Sequence, residues 1–109
     1  MANNYKVLGQ IRPGAATEVG LYTVPAATQT VISQITANNV GTVNTELVTI
    51  AVVPGGGASA TANRIISVFP LGPKESVVIT GVTMDATDEI RVEGSGGGIV
   101  FHAYGQEIT

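Results

Sequence analysis

Hydrophobic and polar residues alternate along this chain in short runs, and glycine, proline and asparagine break the runs apart. A period of two marks strands with one face buried. The organising stretch runs from Leu21 to Asn39. Leu21, Tyr22, Thr23 and Val24 suit a pleated surface. Pro25 cannot donate a ladder hydrogen bond, so pairing is expected to end there. From Thr30 the alternation resumes, with Val31, Ile35 and Ala37 on one side and Thr30, Gln34 and Thr36 on the other. Ile32 and Ser33 interrupt it, and Asn38-Asn39 closes the segment with turn chemistry.

The same plan repeats without a sequence repeat. It predicts about eight short strands, over residues 5–9, 17–24, 30–37, 46–53, 64–69, 76–82, 89–93 and 99–104. The fourth is apolar on both faces, with Leu47, Ala51 and Val53 against Val48, Ile50 and Val52. That suits a central strand or one pressed against a neighbouring subunit. Pro70 is expected to end the fifth. In the seventh, Ile90 and Val92 point inward and Glu89, Arg91 and Glu93 outward. Turn signals fall at Arg12-Pro13-Gly14, around Gly41, at 54–60, 71–75, 83–88 and 94–98, while 106–109 either extends the last strand or hangs free. No helical period is present. The expected fold is all-β: one antiparallel β-sandwich, jelly-roll-like, forming a single domain over residues 1–109.

Composition sharpens this picture at one point. Only 12% of the 109 residues are charged, against about 25% in ordinary domains. Either Thr, Ser, Asn, Gln and Gly cover the surface, or other subunits do. Lys6, Arg12, Arg64, Lys74 and Arg91 are scattered and the net charge is −3, which argues against nucleic-acid binding. The absence of cysteine excludes disulfides, thiolate zinc sites and thiol catalysis, and fits assembly in a reducing cytoplasm. The N-terminal Met1-Ala2-Asn3-Asn4-Tyr5-Lys6 has no apolar run of a leader, and no stretch approaches a membrane span.

Candidate chemistry is thin. Asp85, Asp88 and Glu89 could ligate calcium, but the spacing of a calcium loop is missing, and aspartates capping a turn explain them as well. His102 is the only histidine, beside Phe101 and Tyr104 in a strand pattern. Ser33, Ser67 or Asp85 could partner it, yet no motif selects any of them. Where copies meet near a symmetry axis, His102 could make assembly pH-sensitive. The glycine-rich stretches 54–60 and 94–98 lack the lysine and following helix of a phosphate loop, and read as turns between strands or as loops that grip a partner. The aromatics Tyr5, Tyr22, Phe69, Phe101 and Tyr104 read as core or intersubunit packing, and a glycan platform is weakly supported without tryptophan. No catalytic residue, cofactor or metal is expected, and the chain reads as a non-enzyme.

Four segments carry a resemblance: Tyr5-Lys6-Val7-Leu8-Gly9-Gln10, Leu21-Tyr22-Thr23-Val24-Pro25-Ala26, Ala86-Thr87-Asp88 ahead of an alternating strand, and the ending Phe101-His102-Ala103-Tyr104-Gly105-Gln106-Glu107-Ile108-Thr109. Nearly end to end, the chain resembles small structural proteins of tailed bacteriophages, including those of cyanobacteria. The resemblance implies a virion β-sandwich, made in the host cytoplasm, that oligomerises as a homotrimer. It implies a capsid decoration or cement protein bound to the major capsid protein, with no nucleic acid or membrane partner. Two alternatives stay open: a tail, baseplate or fibre-associated virion protein, and a carbohydrate-binding or adhesive sandwich.

Overall fold

The computed structural model describes residues 3–109. Met1 and Ala2, which open the stretch read above for a leader, lie outside the described residues. Nine strands follow one another: β1 (Asn3–Ile11), β2 (Val19–Thr23), β3 (Gln29–Asn39), β4 (Glu46–Val53), β5 (Arg64–Leu71), β6 (Ser76–Ile79), β7 (Val82–Met84), β8 (Glu89–Gly94) and β9 (Ile99–Ile108). The described helical structure is two short 3-10 turns, Pro54–Gly56 and Thr61–Asn63, between β4 and β5.

One sheet has the order β1-β9-β3-β6, with β7 also on β3; the other has the order β2-β8-β4-β5. All pairings are antiparallel. β6 and β7 share one strand position, since Ile79 faces Ile35 and Val82 faces Ile32 on the same neighbour. Counted so, eight positions fill two four-stranded sheets in the double Greek-key order of a jelly roll. The predicted strand over 76–82 is thus two strands. The break falls at Gly81, whose φ of 80° is left-handed backbone that glycine adopts without a Cβ clash.

Ile32, Ile35 and Ala37 of β3, with Phe101 and Ile99 of β9 beside them, form one buried core with Ile90, Val92, Ile50 and Val48 of the opposite sheet. Val31 is a correction. It was placed beside Ile35 and Ala37, yet it is 39% exposed on the outer face, while Thr30 and Ile32 point inward. Ser33 causes the change. Ile32 pairs with Gly105 and Gln34 with Tyr104, so Ser33 is an extra residue that shifts the alternation by one. The irregularity at Ile32 and Ser33 in the sequence is this bulge. β1 bulges at the same level, where Val7 pairs with Tyr104 and Gly9 with Ala103. One crease therefore crosses the sheet.

β4 is central, between β8 and β5. Pro70 does not end the fifth strand; it lies inside β5 opposite Leu47. An edge strand tolerates proline because its outward N–H has no ladder partner to lose. β5 is irregular in a second way: Val68 takes a φ of 51°, rare for a β-branched residue, where Val68 N donates to the Thr49 hydroxyl (3.1 Å). The last strand runs to Ile108, so 106–108 extends it along β1 and β3.

Candidate assembly surface

One end of the sandwich gathers the loops before β2, after β3, before β6 and after β8. Asn39, fully buried, ties the loop after β3 to the end of β5, just before the turn into β6. Its amide donates to the carbonyls of Leu71 (2.9 Å) and Asn44 (3.0 Å), and its Oδ1 accepts from Gly41 N (2.9 Å). The glycine-rich stretch 94–98 lies at this end. The amides of Gly96 and Gly98 both donate to the Glu46 carboxylate at 3.1–3.2 Å, and Arg12 Nε donates to Gly97 O (2.7 Å). The N–H groups that could cradle a phosphate thus already hold the chain's own anion.

At the opposite end, Asp88 accepts from Asp85 N and Gly55 N, both at 2.9 Å, and Asp85 accepts from Ala86 N at 2.8 Å. These aspartates cap a turn. They border an open depression of about 430 Å³ that Gln29, Val31, Thr83 and Ile108 also line. Glu89 turns away to Arg91, which also binds Glu18 at 2.8 Å. Asp85, Asp88 and Glu89 are therefore not brought together, and among the described residues no three His, Cys, Asp or Glu side chains cluster as metal ligands. His102 meets none of Ser33, Ser67 and Asp85. Its Nδ1 lies 2.7 Å from Tyr104 Oη and 3.2 Å from Gln10 Nε2.

Sequence reasoning missed a polar pin between the sheets. Tyr22 of β2 donates to Glu107 of β9 (2.5 Å) and bonds Thr30 of β3 (2.8 Å), and Lys6 of β1 pairs with Glu107 (2.8 Å). The signal was parity: Glu107 continues the inward series Phe101, Ala103, Gly105. Hydrogen bonds from Lys6 and then Tyr22 hold the Glu107 carboxyl below the usual carboxylate range. Burial first, and the bond to Glu107 second, push the Tyr22 phenol from 10.0 to about 12. Because the Glu107 value is lowered by folding, its stabilisation is present above the ordinary carboxylate range and lost as pH falls through the folded value. Because the Tyr22 value is raised, its share is full below pH 10.0 and lost as pH rises to about 12. Unfolding free energy against pH should show both losses, and Glu107→Gln should flatten the acid one. An unchanged acid limb in that variant would remove the pin from the account.

The outer face of the β1-β9-β3-β6 sheet differs from every other surface. Register sets its rows across the strands: Tyr5, Gln106, Val31 and Thr83; then Val7, Tyr104 and Gln34; then Gln10, His102, Thr36 and Val78. None is charged. Lys6 and Glu107 point inward; Glu89, Arg91 and Glu93 alternate outward on the other sheet; the remaining charged residues sit in loops or at strand ends. Of the aromatics, Phe101 is core, Tyr22 belongs to the pin, Tyr5 (78% exposed) and Tyr104 belong to this face, and Phe69 lies half-exposed on edge strand β5.

No protein-family profile matches the chain, and no curated protein matches it. Solved structures do. A chain of the T13 particle of infectious bursal disease virus aligns over 96% of this chain with a TM-score of 0.54 and 8% identity. Chains from the Gt and Gx strains of that virus align over 96% and 97%, with TM-scores of 0.49 and 0.46 and identities of 9% and 11%. This chain spans 30–31% of their length. At such identities the T13 likeness speaks to the fold, a jelly-roll sandwich.

Proposed function

We propose that this chain is a structural protein of a bacteriophage virion: a head decoration protein that binds the major capsid protein lattice and stabilises it as a homo-oligomer. The observation that carries the reading is the uncharged outer sheet face, a broad surface that loses little charge hydration when covered. The T13 viral-particle chain with the same fold supports it, as does the resemblance to phage structural proteins. A small rigid sandwich repeated many times turns a modest contact into a strong lattice. The chain works by binding, without catalytic residue, metal or cofactor. In support, the Asp85, Asp88 and Glu46 carboxylates are spent on backbone amides. It is made in the host cytoplasm and ends in the virion.

A tail, baseplate or fibre protein of the same particle would use the same chemistry in another place. Mass spectrometry of separated heads and tails decides. The chain is expected in heads, released by treatments that strip bound proteins from the shell. Recovery only from tails would overturn the head assignment, and absence from both would overturn the virion role. A jelly roll also suits glycan-binding modules. Reproducible hits on a glycan array, with no incorporation into particles, would put that class in its place.

A further inference from the structure

The chain carries thirteen charged side chains, five basic and eight acidic; none stands in the strand rows of the outer face of the β1-β9-β3-β6 sheet, and only Asp85 and Asp88, already bonded to backbone amides, border its Val31-Thr83 end. We propose that this face docks against the same face of a second copy of this chain about a two-fold axis. The inference rests on the assembly reading above and deepens it by naming the contact. It makes the basic unit a two-fold pair, where the resemblance implies a trimer.

Three arguments select a second copy. The first is charge. A surface without ions gives a charged partner nothing to pair with, so such a partner would lose hydration for no return. The matching occupant is uncharged too, and this face is itself such a surface. The second is hydrogen bonding. Gln10, Gln34 and Gln106 reach the face from β1, β3 and β9. An amide carries donor and acceptor together, so identical rows can satisfy one another across a two-fold axis. Val7 and Val78, 52% and 49% exposed, supply apolar contact at the two sides. The third is area. β9 is 10 residues long. At ~3.4 Å per residue and ~4.8 Å between four strands, the face covers roughly 650 Å², or about 1,300 Å² over two copies. That reaches the size of specific interfaces, about 1,200–2,000 Å². The other exposed apolar cluster, Leu47, Ile65, Val68 and Phe69 around edge strand β5, offers a narrower strip.

Sedimentation equilibrium on the purified chain tests this, with Val7→Lys and Val78→Lys as face variants and Leu47→Lys, on the opposite sheet, as control. All three sites are at least 41% exposed, so folding should be spared, and circular dichroism checks it. The expected result is a dimer for the wild type and the control, with each face variant's dissociation constant raised at least about ten-fold. A monomeric wild type, a trimer, or a dimer that both face variants retain would overturn the proposal. Failure here differs from failure of the virion role. A monomer that still enters heads sinks this contact alone, whereas a face-dependent dimer absent from particles sinks the function and keeps the contact.

Discussion

Replacing Asn39 with alanine is expected to remove about 3–5 kcal/mol of stability, enough to unfold a marginal domain. The side chain is fully buried and makes three hydrogen bonds to backbone groups of two segments, Leu71 at the end of β5 and Asn44 and Gly41 in the loop after β3. Truncation deletes the partner and leaves those groups beside an apolar stump. The Leu71 bond is buried, and a buried backbone group left unpaired costs about 1–3 kcal/mol; the part-buried bonds to Asn44 and Gly41 add about 0.5–1.5 kcal/mol each. The neighbouring backbone shares the load: Asn39 N donates to Glu75 O and Asn39 O accepts from Lys74 N. Losing the side chain should therefore loosen the turn before β6 together with the loop after β3. Asn39→Asp is a sharper probe. It keeps one acceptor, loses both donors and buries a charge facing two carbonyls, so it should be at least as damaging near neutral pH. Asn38→Ala, one residue back and facing outward, should change stability by less than about 0.5 kcal/mol. Urea denaturation of the three variants measures this, and a loss below about 1 kcal/mol for Asn39→Ala would show that water replaces the amide freely.

Asn39 also marks the limit of what the sequence discloses. Strands β8 and β9 were legible because nothing interrupts their alternation; Ile90 and Val92 point inward as read, and Phe101 and Ala103 prove to be the inward positions of β9. β3 was legible in extent but half wrong in facing. A single inserted residue, Ser33, reverses the parity on one side of it, and alternation alone cannot say which half faces the core. Asn38-Asn39 looked like a turn because asparagine favours turns. Asn39 is instead the inward end of the series Ile35, Ala37, Asn39. Glu107 was invisible in the same way, since a carboxylate at an inward position makes sense only once Lys6 and Tyr22 are beside it. The Glu46 contact with Gly96 and Gly98 spans 50–52 residues, and no local pattern announces such a pairing. The low charge content was plain from the start. That the charges avoid one whole face follows only from register.

Gly105→Ala should prove comparably damaging, about 3 kcal/mol or more, although it adds one methyl group. Gly105 sits on the crease, paired with Ile32 at the bulge of β3 and with Lys6 of β1. A Cβ built there falls onto the Val31 carbonyl oxygen, with Ile32 Cα and Val31 C close behind. These are backbone atoms of the adjoining strand, and they cannot swing aside as a side chain can. Relief would require β3 and β9 to part at the point where Ser33 has already thinned the ladder, or β3 to slip past the bulge. A slip of one residue would turn Val31 inward and Ile32 outward, exchanging core for surface over that end of the strand. The pin would suffer too, since Glu107 and Thr30 lie two pairs along the same ladder. Gly97 supplies the contrast: a Cβ at that position meets nothing within 4 Å, so Gly97→Ala should stay within about 0.5 kcal/mol of the parent. Thermal melts of the two alanine variants read the difference directly. Similar melting temperatures would mean that β9 can shift to admit the methyl, and that the crease is softer than its close backbone contacts imply.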